Sequence, residues 1–162
     1  MIEIKESTFE DLDNIMDLWG NGEVMKYVGF PDGIHHTKDK MVDWLKWAVN
    51  KPSRMQYSIF ENGVYCGETF YNVVNNYGSL DIKLLPKAMG RGIATKALSF
   101  AINKAFLEGN AKVVYVDPNP ENLAAWALYR KLGFKQAPVP ENVEADPTYQ
   151  ELHVDAWSFP EL

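Results

Sequence analysis

The segment from Leu84 to Thr95 constrains the fold of this chain more than any other part of the sequence. An apolar run stops at Pro86, a turn with two glycines follows, and helical spacing of apolar residues begins at Ile93. Main-chain amides at the start of a helix attract anions, and glycine lets the backbone approach a bulky diphosphate. The order strand, glycine turn, helix therefore predicts an α/β fold with an anion site at this turn.

Two well-known phosphate-binding motifs are not matched by this turn. A P-loop requires G-x-x-x-x-G-K-[ST], and that spacing is absent. A dinucleotide fingerprint requires G-x-G-x-x-G near the start of a βαβ fold, whereas Thr95 stands at the third glycine position and the turn lies in the middle of the chain. An ordinary strand-to-helix connection remains the alternative for this segment taken alone.

The segments around the turn predict one mixed α/β domain over residues 1–162. Asn62-Gly63 between two strand patterns predicts a hairpin, because this pair is a strong two-residue turn signal. The helix after Gly92 joins two strands, and such a crossover makes them parallel. We expect helices after Thr8, after Thr37, from 93 and over 122–132, and strands at 1–5, 56–60, 64–74, 80–85, 113–116, from 134 and at 152–159.

Composition narrows the classes of partner. The chain has 16 Lys and Arg against 22 Asp and Glu, a net charge of −6, which repels phosphate backbones and attracts cations such as polyamines or amino-sugars. No apolar run approaches the roughly 20 residues that span a bilayer, and the first residues lack a secretory pattern. Cys66 is the single cysteine, which excludes a disulfide framework. We expect a cytoplasmic protein without a metal, a membrane or a nucleic-acid partner.

A second pattern follows the turn at a fixed distance. It resembles the motif N-x-x-A-x-x-x-Y-x-K-x-G-F of the GNAT superfamily of acetyl-CoA-dependent N-acetyltransferases. The glycine turn is similar to the signature Q/R-x-x-G-x-G/A of that family, with Met89 where Gln or Arg is usual. The matched positions of the second pattern are Asn122, Ala125, Tyr129, Lys131, Gly133 and Phe134.

The resemblance implies a fold and a co-substrate site. The fold is a mixed, mostly antiparallel sheet of six to seven strands with helices on both faces, in which one parallel strand pair splays apart and binds acyl-CoA. Main-chain amides near Leu84 are expected to bind CoA and polarise the thioester carbonyl. The residues expected to bind acetyl-CoA are Ile82, Leu84, Met89, Gly90, Arg91, Gly92, Ile93, Ala94, Thr95 and Asn122.

Tyr129 is the expected catalytic acid. Asn122 and Tyr129 are seven residues apart, so they share one face of a helix. Transfer of the acetyl group expels a thiolate whose thiol has a pKa near about 8.5. A phenol beside the sulfur can return the proton, which is typically worth about 10² to 10⁴ in rate. The alternatives are a tyrosine that only packs against Phe134 and an asparagine that only caps the helix.

The attacking amine must lose a proton, so a carboxylate near the acceptor is expected. Asp81 and Glu68 are the candidate bases, and a solvated strand-face acid is the alternative for each. Glu68, Asp117 and Trp47 are the candidate contacts of the acceptor. After Lys135 the chain has no Lys or Arg. Its acids there form a candidate wall for a cationic substrate: Glu141, Glu144, Asp146, Glu151, Asp155 and Glu161.

Within the superfamily, the segment from Asp117 to Phe134 resembles the aminoglycoside 6'-N-acetyltransferase branch and the nearby ribosomal-protein N-acetyltransferase branch. Tyr129 favours the first, so the sequence predicts direct acetyl transfer to a primary amine of a small cationic acceptor, for example an aminoglycoside. Acetylation of a protein N-terminus and a non-catalytic acyl-CoA-binding module are the alternatives. A homodimer is compatible with the resemblance, and no segment indicates an interface.

Overall fold

The protein is built around a seven-stranded sheet. The computed structural model describes residues 1–160 of the chain. The strand order is β1-β2-β3-β4-β5-β7-β6. The strands are β1 (Ile2–Glu6), β2 (Arg54–Glu61), β3 (Val64–Val74), β4 (Tyr77–Leu84), β5 (Val113–Val116), β6 (Lys135–Gln136) and β7 (Gln150–His153). Only β4 and β5 are parallel neighbours, and the other pairs within this part of the chain are antiparallel. The predicted mixed, mostly antiparallel sheet is confirmed.

Five α-helices surround the sheet in the part of the chain that the structure describes. They are α1 (Leu12–Trp19), α2 (Gly22–Met25), α3 (Lys38–Asn50), α4 (Ile93–Leu107) and α5 (Leu123–Leu132). Tyr57 and Tyr71 point to the sheet face that α4 and α5 cover, where they form a core with residues such as Leu98. Successive side chains of a strand alternate between faces, so Ser58 and Glu68 point to the other face, toward α1. Helices therefore cover both faces.

The hairpins β2–β3 and β3–β4 both have asparagine in their turns. Asn62 and Gly63 have φ of 49° and 78°, as the predicted two-residue turn requires. The turn from β3 to β4 uses Asn75 and Asn76, with φ of 52° and 70°, a conformation that asparagine tolerates better than most residues. These turns bring β2, β3 and β4 into register side by side.

The parallel strands β4 and β5 diverge after three residue pairs. Tyr77 pairs with Val113, and Ser79 with Tyr115. Beyond Ser79, β4 continues to Leu84, whereas β5 ends at Val116 and pairs with β7 on its other side. Parting strands leave main chain without a neighbour and open a crevice at their carboxyl ends, where α/β sheets bind ligands. The predicted splayed pair is present.

Two segments differ from the sequence-based expectation. One is the short helix α2, which the sequence did not predict: it begins at Gly22, where the Asn21 side chain accepts hydrogen bonds from the amides of Glu23 and Val24. A strand at 152–159 was expected, but β7 ends at His153, where its partner β5 begins at Val113. No helix within residues 1–160 has the length and apolar character needed to cross a bilayer.

Candidate active site

A cleft of about 540 Å³ opens where β4 and β5 separate. Its floor is the carboxyl half of β4, from Leu80 to Leu84. One side is the glycine turn with the start of α4, and the other is α5 with the segment that precedes it. Val24, Tyr27 and Val28 close one end. The splay of the sheet thus brings both sequence motifs to one cavity.

The glycine turn presents main chain to this cleft. Gly90 and Gly92 have φ of 73° and 81°, and a Cβ on either would meet no atom within 4 Å. The turn therefore faces open space, and its glycines are required by conformation. Gly92 is the residue before α4, a helix of 15 residues whose first amides lack helical partners. A diphosphate fits this arrangement, since it needs several amides and close backbone approach.

The turn's side chains do not all face the cleft. Met89, Ala94 and Thr95 line it. Ile93 is buried in a core with Leu84, and Arg91 pairs with Glu61 at 2.6 Å on the surface. The side chains of Arg91 and Ile93 therefore do not point into the cleft.

Tyr129 is the aromatic side chain that reaches the floor of the cleft from α5. It is 5% exposed and lines the cleft, and its ring lies 5.7 Å from that of Phe134. Burial raises the pKa of its phenol, and the negative charges of Asp81 and Asp117 raise it further. The hydroxyl is thus held in its protonated form, as a hydrogen-bond donor.

Asn122 caps α5, as one of the two interpretations predicted. Its Oδ1 accepts a hydrogen bond from the Ala125 amide at 3.2 Å. Asn122 also lines the cleft, on the same side as Tyr129, as their spacing indicates. The capping interaction orients the amide group at the rim.

The candidate base Asp81 has a cationic partner. Its carboxylate pairs with the Lys83 ammonium, and both side chains lie on one face of β4 along the cleft. Because side chains two residues apart on a strand share a face, this pair follows directly from the sequence spacing. Asp81 is therefore neutralised locally.

Glu68 lies beneath the cleft and not on its lining. It is 3% exposed, and its Oε1 and Oε2 accept hydrogen bonds from Trp19 Nε1 at 2.9 Å and Gln56 Nε2 at 3.1 Å. Burial raises the pKa of Glu68, and the nearby Lys83 charge opposes this shift. Glu68 thus lies between β3 and α1, on the side of the sheet that α1 covers.

Asp117 is the cleft carboxylate with no cation beside it. It follows β5 and lines the cleft, and within residues 1–160 no Lys, Arg or His nitrogen lies within 4.0 Å of its oxygens. Its Oδ2 accepts a hydrogen bond from the Asp146 amide at 3.0 Å. Burial raises the pKa of Asp117. An incoming cation would neutralise this charge.

Trp47 lies apart from the cleft. It is on α3, 52% exposed, and its ring centroid lies 5.0 Å from Lys51 Nζ and 5.5 Å from the Arg54 guanidinium. Its position off the apolar stripe of α3 directs the ring to the surface. The structure does not bring Trp47 together with the other predicted acceptor contacts.

Sequence reasoning did not assign Lys83 or Asn119 to the cleft. Lys83 could have been found from its i, i+2 spacing to Asp81. Asn119 donates from Nδ2 to the Tyr27 carbonyl at 3.3 Å and so connects the segment before α5 to the end of α2. Tyr27 also lines the cleft, and it follows α2, a helix that the sequence did not predict. Among the described residues no group of three His, Cys, Asp or Glu side chains could hold a metal ion.

The family model for the acetyltransferase (GNAT) domain matches residues 2–135. The chain belongs to the GNAT acetyltransferase family. The predicted family, enzyme class and co-substrate are thereby confirmed: this GNAT protein is an N-acetyltransferase that uses acetyl-CoA. The open glycine turn and the parted strands described above fit that co-substrate.

Three proteins illustrate what this GNAT enzyme is similar to. Spermidine N(1)-acetyltransferase of Escherichia coli (strain K12) is 25% identical over 136 residues, which cover 82% of this chain and 72% of that protein. The structure of spermidine N-acetyltransferase from Vibrio cholerae in complex with CoA and spermine gives a TM-score of 0.79 at 18% identity, covering 96% of both chains. Aminoglycoside acetyltransferase AAC(6')-Ib in complex with coenzyme A gives 0.76 at 18% identity, again covering 96% of both chains. The two structures show the fold.

Proposed function

We propose that this acetyltransferase moves an acetyl group directly from acetyl-CoA to a primary amine of a small polycation, either a polyamine or an aminoglycoside. The observation that carries the proposal is Asp117, a carboxylate in the cleft without a cationic partner among the described residues. Asp117 is exposed to solvent, and an acceptor that covered it would have to compensate its charge, because removing a carboxylate from water is otherwise costly. An acceptor with several ammonium groups supplies that charge.

The position of Asp117 supports this role. Ser79 pairs with Tyr115, so Asp81 and Asp117 stand two residues beyond the last strand pair, at equivalent places on the parting strands. Tyr129 lines the same cleft as both carboxylates; burial raises the pKa of its phenol, and their negative charges raise it further. An ammonium group at Asp117 would thus lie close to the expected site of acyl transfer.

The acidic segment after β6 lies beside Asp117, although none of its described acids lines the cleft. The Asp146 amide donates a hydrogen bond to Asp117, which ties this loop to the rim of the cleft. Glu161, which was expected in this wall, lies outside the described residues. A polycation has several ammonium groups and can use several of these charges at once.

Both acceptor classes have support. The sequence resemblance favoured the aminoglycoside branch, and the relative named a spermidine N(1)-acetyltransferase matches over 82% of this chain. The net charge of −6 suits either acceptor. A ribosomal-protein N-terminus remains the second candidate, since the sequence also resembles that branch.

The chain's residues suggest how transfer proceeds. Acetyl-CoA supplies the activated acetyl group. Amides of the glycine turn, from Gly90 to Thr95, bind its pyrophosphate with Asn122 at the rim. The β4 main chain from Ile82 to Leu84, on the edge from which β5 has diverged, holds the thioester carbonyl. The Tyr129 hydroxyl donates its proton toward the sulfur as the carbon–sulfur bond breaks. A buried phenol is a weak acid, so it acts by donating in the transition state and not by ionising beforehand.

The test is CoA thiol release from acetyl-CoA in the presence of spermidine, kanamycin or a Ser- or Ala-ended peptide, with mass spectrometry of the product. Acetylated spermidine or kanamycin is the expected result and decides between the two polycations. Release with peptides alone would overturn the small-acceptor proposal in favour of the N-terminal candidate. Silence with every acceptor, while acetyl-CoA still binds, would also overturn it.

A further inference from the structure

The inner end of the cleft is closed by two buried aliphatic side chains, Leu80 on β4 and Val116 on β5, which we call the inner wall. They directly follow the last parallel pair, Ser79 and Tyr115, so they stand where the two strands begin to diverge. Both line the cleft, and they are only 7% and 2% exposed. The crevice between the strands therefore ends against apolar side chains.

The inner wall has closely packed residues behind it. Leu80 and Val116 belong to the core between the sheet and the helices α4 and α5. Leu98 on α4 and Val114 on β5 are members of the same core, and both are fully buried. Protein interiors are packed about as densely as organic crystals, so a wall backed by such a core does not yield to an additional methylene group without strain.

The order of the sites along β4 determines which part of acetyl-CoA reaches the inner wall. In the proposed function the pyrophosphate lies at the glycine turn, which follows the carboxyl end of β4, and the thioester lies along Ile82 to Leu84. The direction from the glycine turn to Leu80 is therefore the direction from the phosphates to the acyl end of the molecule. The acyl group is thus directed toward the inner wall.

Tyr129 supports the same placement. Its side chain lines the cleft and belongs to the same core as Leu80 and Val116. In the proposed function its hydroxyl donates to the thioester sulfur, and that sulfur is bonded directly to the acyl carbonyl carbon. An acyl group whose sulfur lies beside Tyr129 is therefore at the inner end of the cleft.

We propose that Leu80 and Val116 restrict the transferred acyl group to acetyl, a specificity that rests on the placement of acetyl-CoA in the proposed function. Propionyl and butyryl groups are longer than acetyl by one and two methylene groups. One methylene group in an apolar pocket is discriminated by about 10- to 200-fold. The reaction is the same for each acyl group: the neutral amine forms the N–C bond and gives up a proton, the C–S bond breaks, and the thiolate takes up a proton.

Shortening either side chain of the inner wall is expected to admit longer acyl groups. Leu80→Ala removes three carbon atoms and Val116→Ala removes two, and the surrounding core relaxes only partly around such a deletion, so space remains. Val114→Ala is the matched control. Val114 is a fully buried valine on the same face of β5, in the same core, and it does not line the cleft.

Calorimetry with CoA, acetyl-CoA, propionyl-CoA and butyryl-CoA tests the inner wall without turnover. The natural chain is expected to bind butyryl-CoA at least about tenfold more weakly than acetyl-CoA. Leu80→Ala and Val116→Ala are expected to reduce this ratio by about fivefold or more, whereas Val114→Ala keeps it. Equal affinity of the natural chain for acetyl-CoA and butyryl-CoA overturns the proposal, as does a ratio that is the same in the wall variants and in Val114→Ala.

The ratio of affinities separates this role from a purely structural one. A variant that only destabilises the core lowers the thermal midpoint and changes the affinity for all four ligands alike. Should Leu80→Ala fail to fold, Leu80→Val removes a single carbon atom from the same wall. It is expected to strengthen the binding of propionyl-CoA relative to acetyl-CoA, and an unchanged ratio contradicts the proposal.

Thiol release with the same acyl-CoAs and the best acceptor of the panel extends the test to kcat/KM. The natural chain is expected to prefer acetyl-CoA to propionyl-CoA by about tenfold or more, and Leu80→Ala is expected to lose most of this preference. Equal kcat/KM values for the two acyl-CoAs in the natural chain contradict the proposal. Failure of the proposed acceptor class appears separately, as absence of thiol release with spermidine and kanamycin, and the calorimetric affinities then still decide the role of the inner wall.

Discussion

The Asp117 carboxylate accepts a hydrogen bond from the Asp146 main-chain amide at 3.0 Å, across 29 residues of chain. This contact ties the acidic segment after β6 to the end of β5, at the rim of the cleft. One carboxylate oxygen is thereby engaged by the loop, while the residue still lines the cleft. Asp117 therefore contacts the loop and also carries a negative charge in the cleft.

Asp117→Asn is expected to raise the acceptor KM about tenfold, because a negative charge that faces a cationic acceptor in the cleft is lost. The amide oxygen of Asn still accepts the Asp146 hydrogen bond, so the loop should stay in place. Steady-state kinetics at fixed acetyl-CoA measures the effect. Asp43→Asn, which removes an exposed charge on α3, is the control. Equal KM values for the two variants would contradict a role of Asp117 in acceptor binding.

Tyr129→Phe is expected to lower kcat at least about tenfold and leave the dissociation constant of CoA nearly unchanged. The change removes only the hydroxyl and keeps the ring that packs against Phe134. Tyr71→Phe, which alters a buried tyrosine outside the cleft lining, is the matched control. Thiol-release kinetics and calorimetry with CoA provide the measurements. Unchanged turnover in Tyr129→Phe would remove this residue from the mechanism.

The pH dependence on the alkaline side follows from the raised pKa of Tyr129. A group with a raised pKa keeps its proton to higher pH, so the phenol stays a donor above the ordinary tyrosine pKa of about 10. We expect kcat to show no decline from loss of the Tyr129 proton between about pH 8 and pH 10. A decline in that interval that is absent in Tyr129→Phe would show the phenol ionising within it.

Gly92→Ala separates the conformational need for glycine from its role in CoA binding. Gly92 and Gly63 have φ of 81° and 78°, and a Cβ on either would meet no atom within 4 Å. Each alanine variant should therefore lose about 1 to 2 kcal/mol of stability from backbone conformation alone. Only Gly92→Ala should also weaken CoA, by about tenfold or more, because it disturbs the anion-binding turn. Similar CoA affinities in calorimetry would argue against that turn as the pyrophosphate site.

Local patterns in the sequence determined the elements and the family. Some features depend only on neighbouring residues, so spacing alone predicted them: the Asn62-Gly63 turn, the Thr37 cap of α3 and the asparagine cap of α5. Element ends were less predictable where they depend on a partner strand. β7 ends at His153 because β5 begins at Val113, and no local signal in 152–159 reports that.

The sequence by itself determined which residues meet along one element: Asn122 and Tyr129 on a helix face, and Asp81 and Lys83 on a strand face. Only the tertiary structure decided which charges are compensated. The sheet register sets Glu68 opposite Lys83, and the parting of β4 from β5 leaves Asp117 without a cation in the described chain. Charge compensation depends on distances between strands that lie far apart in sequence, which periodicity within a segment does not contain.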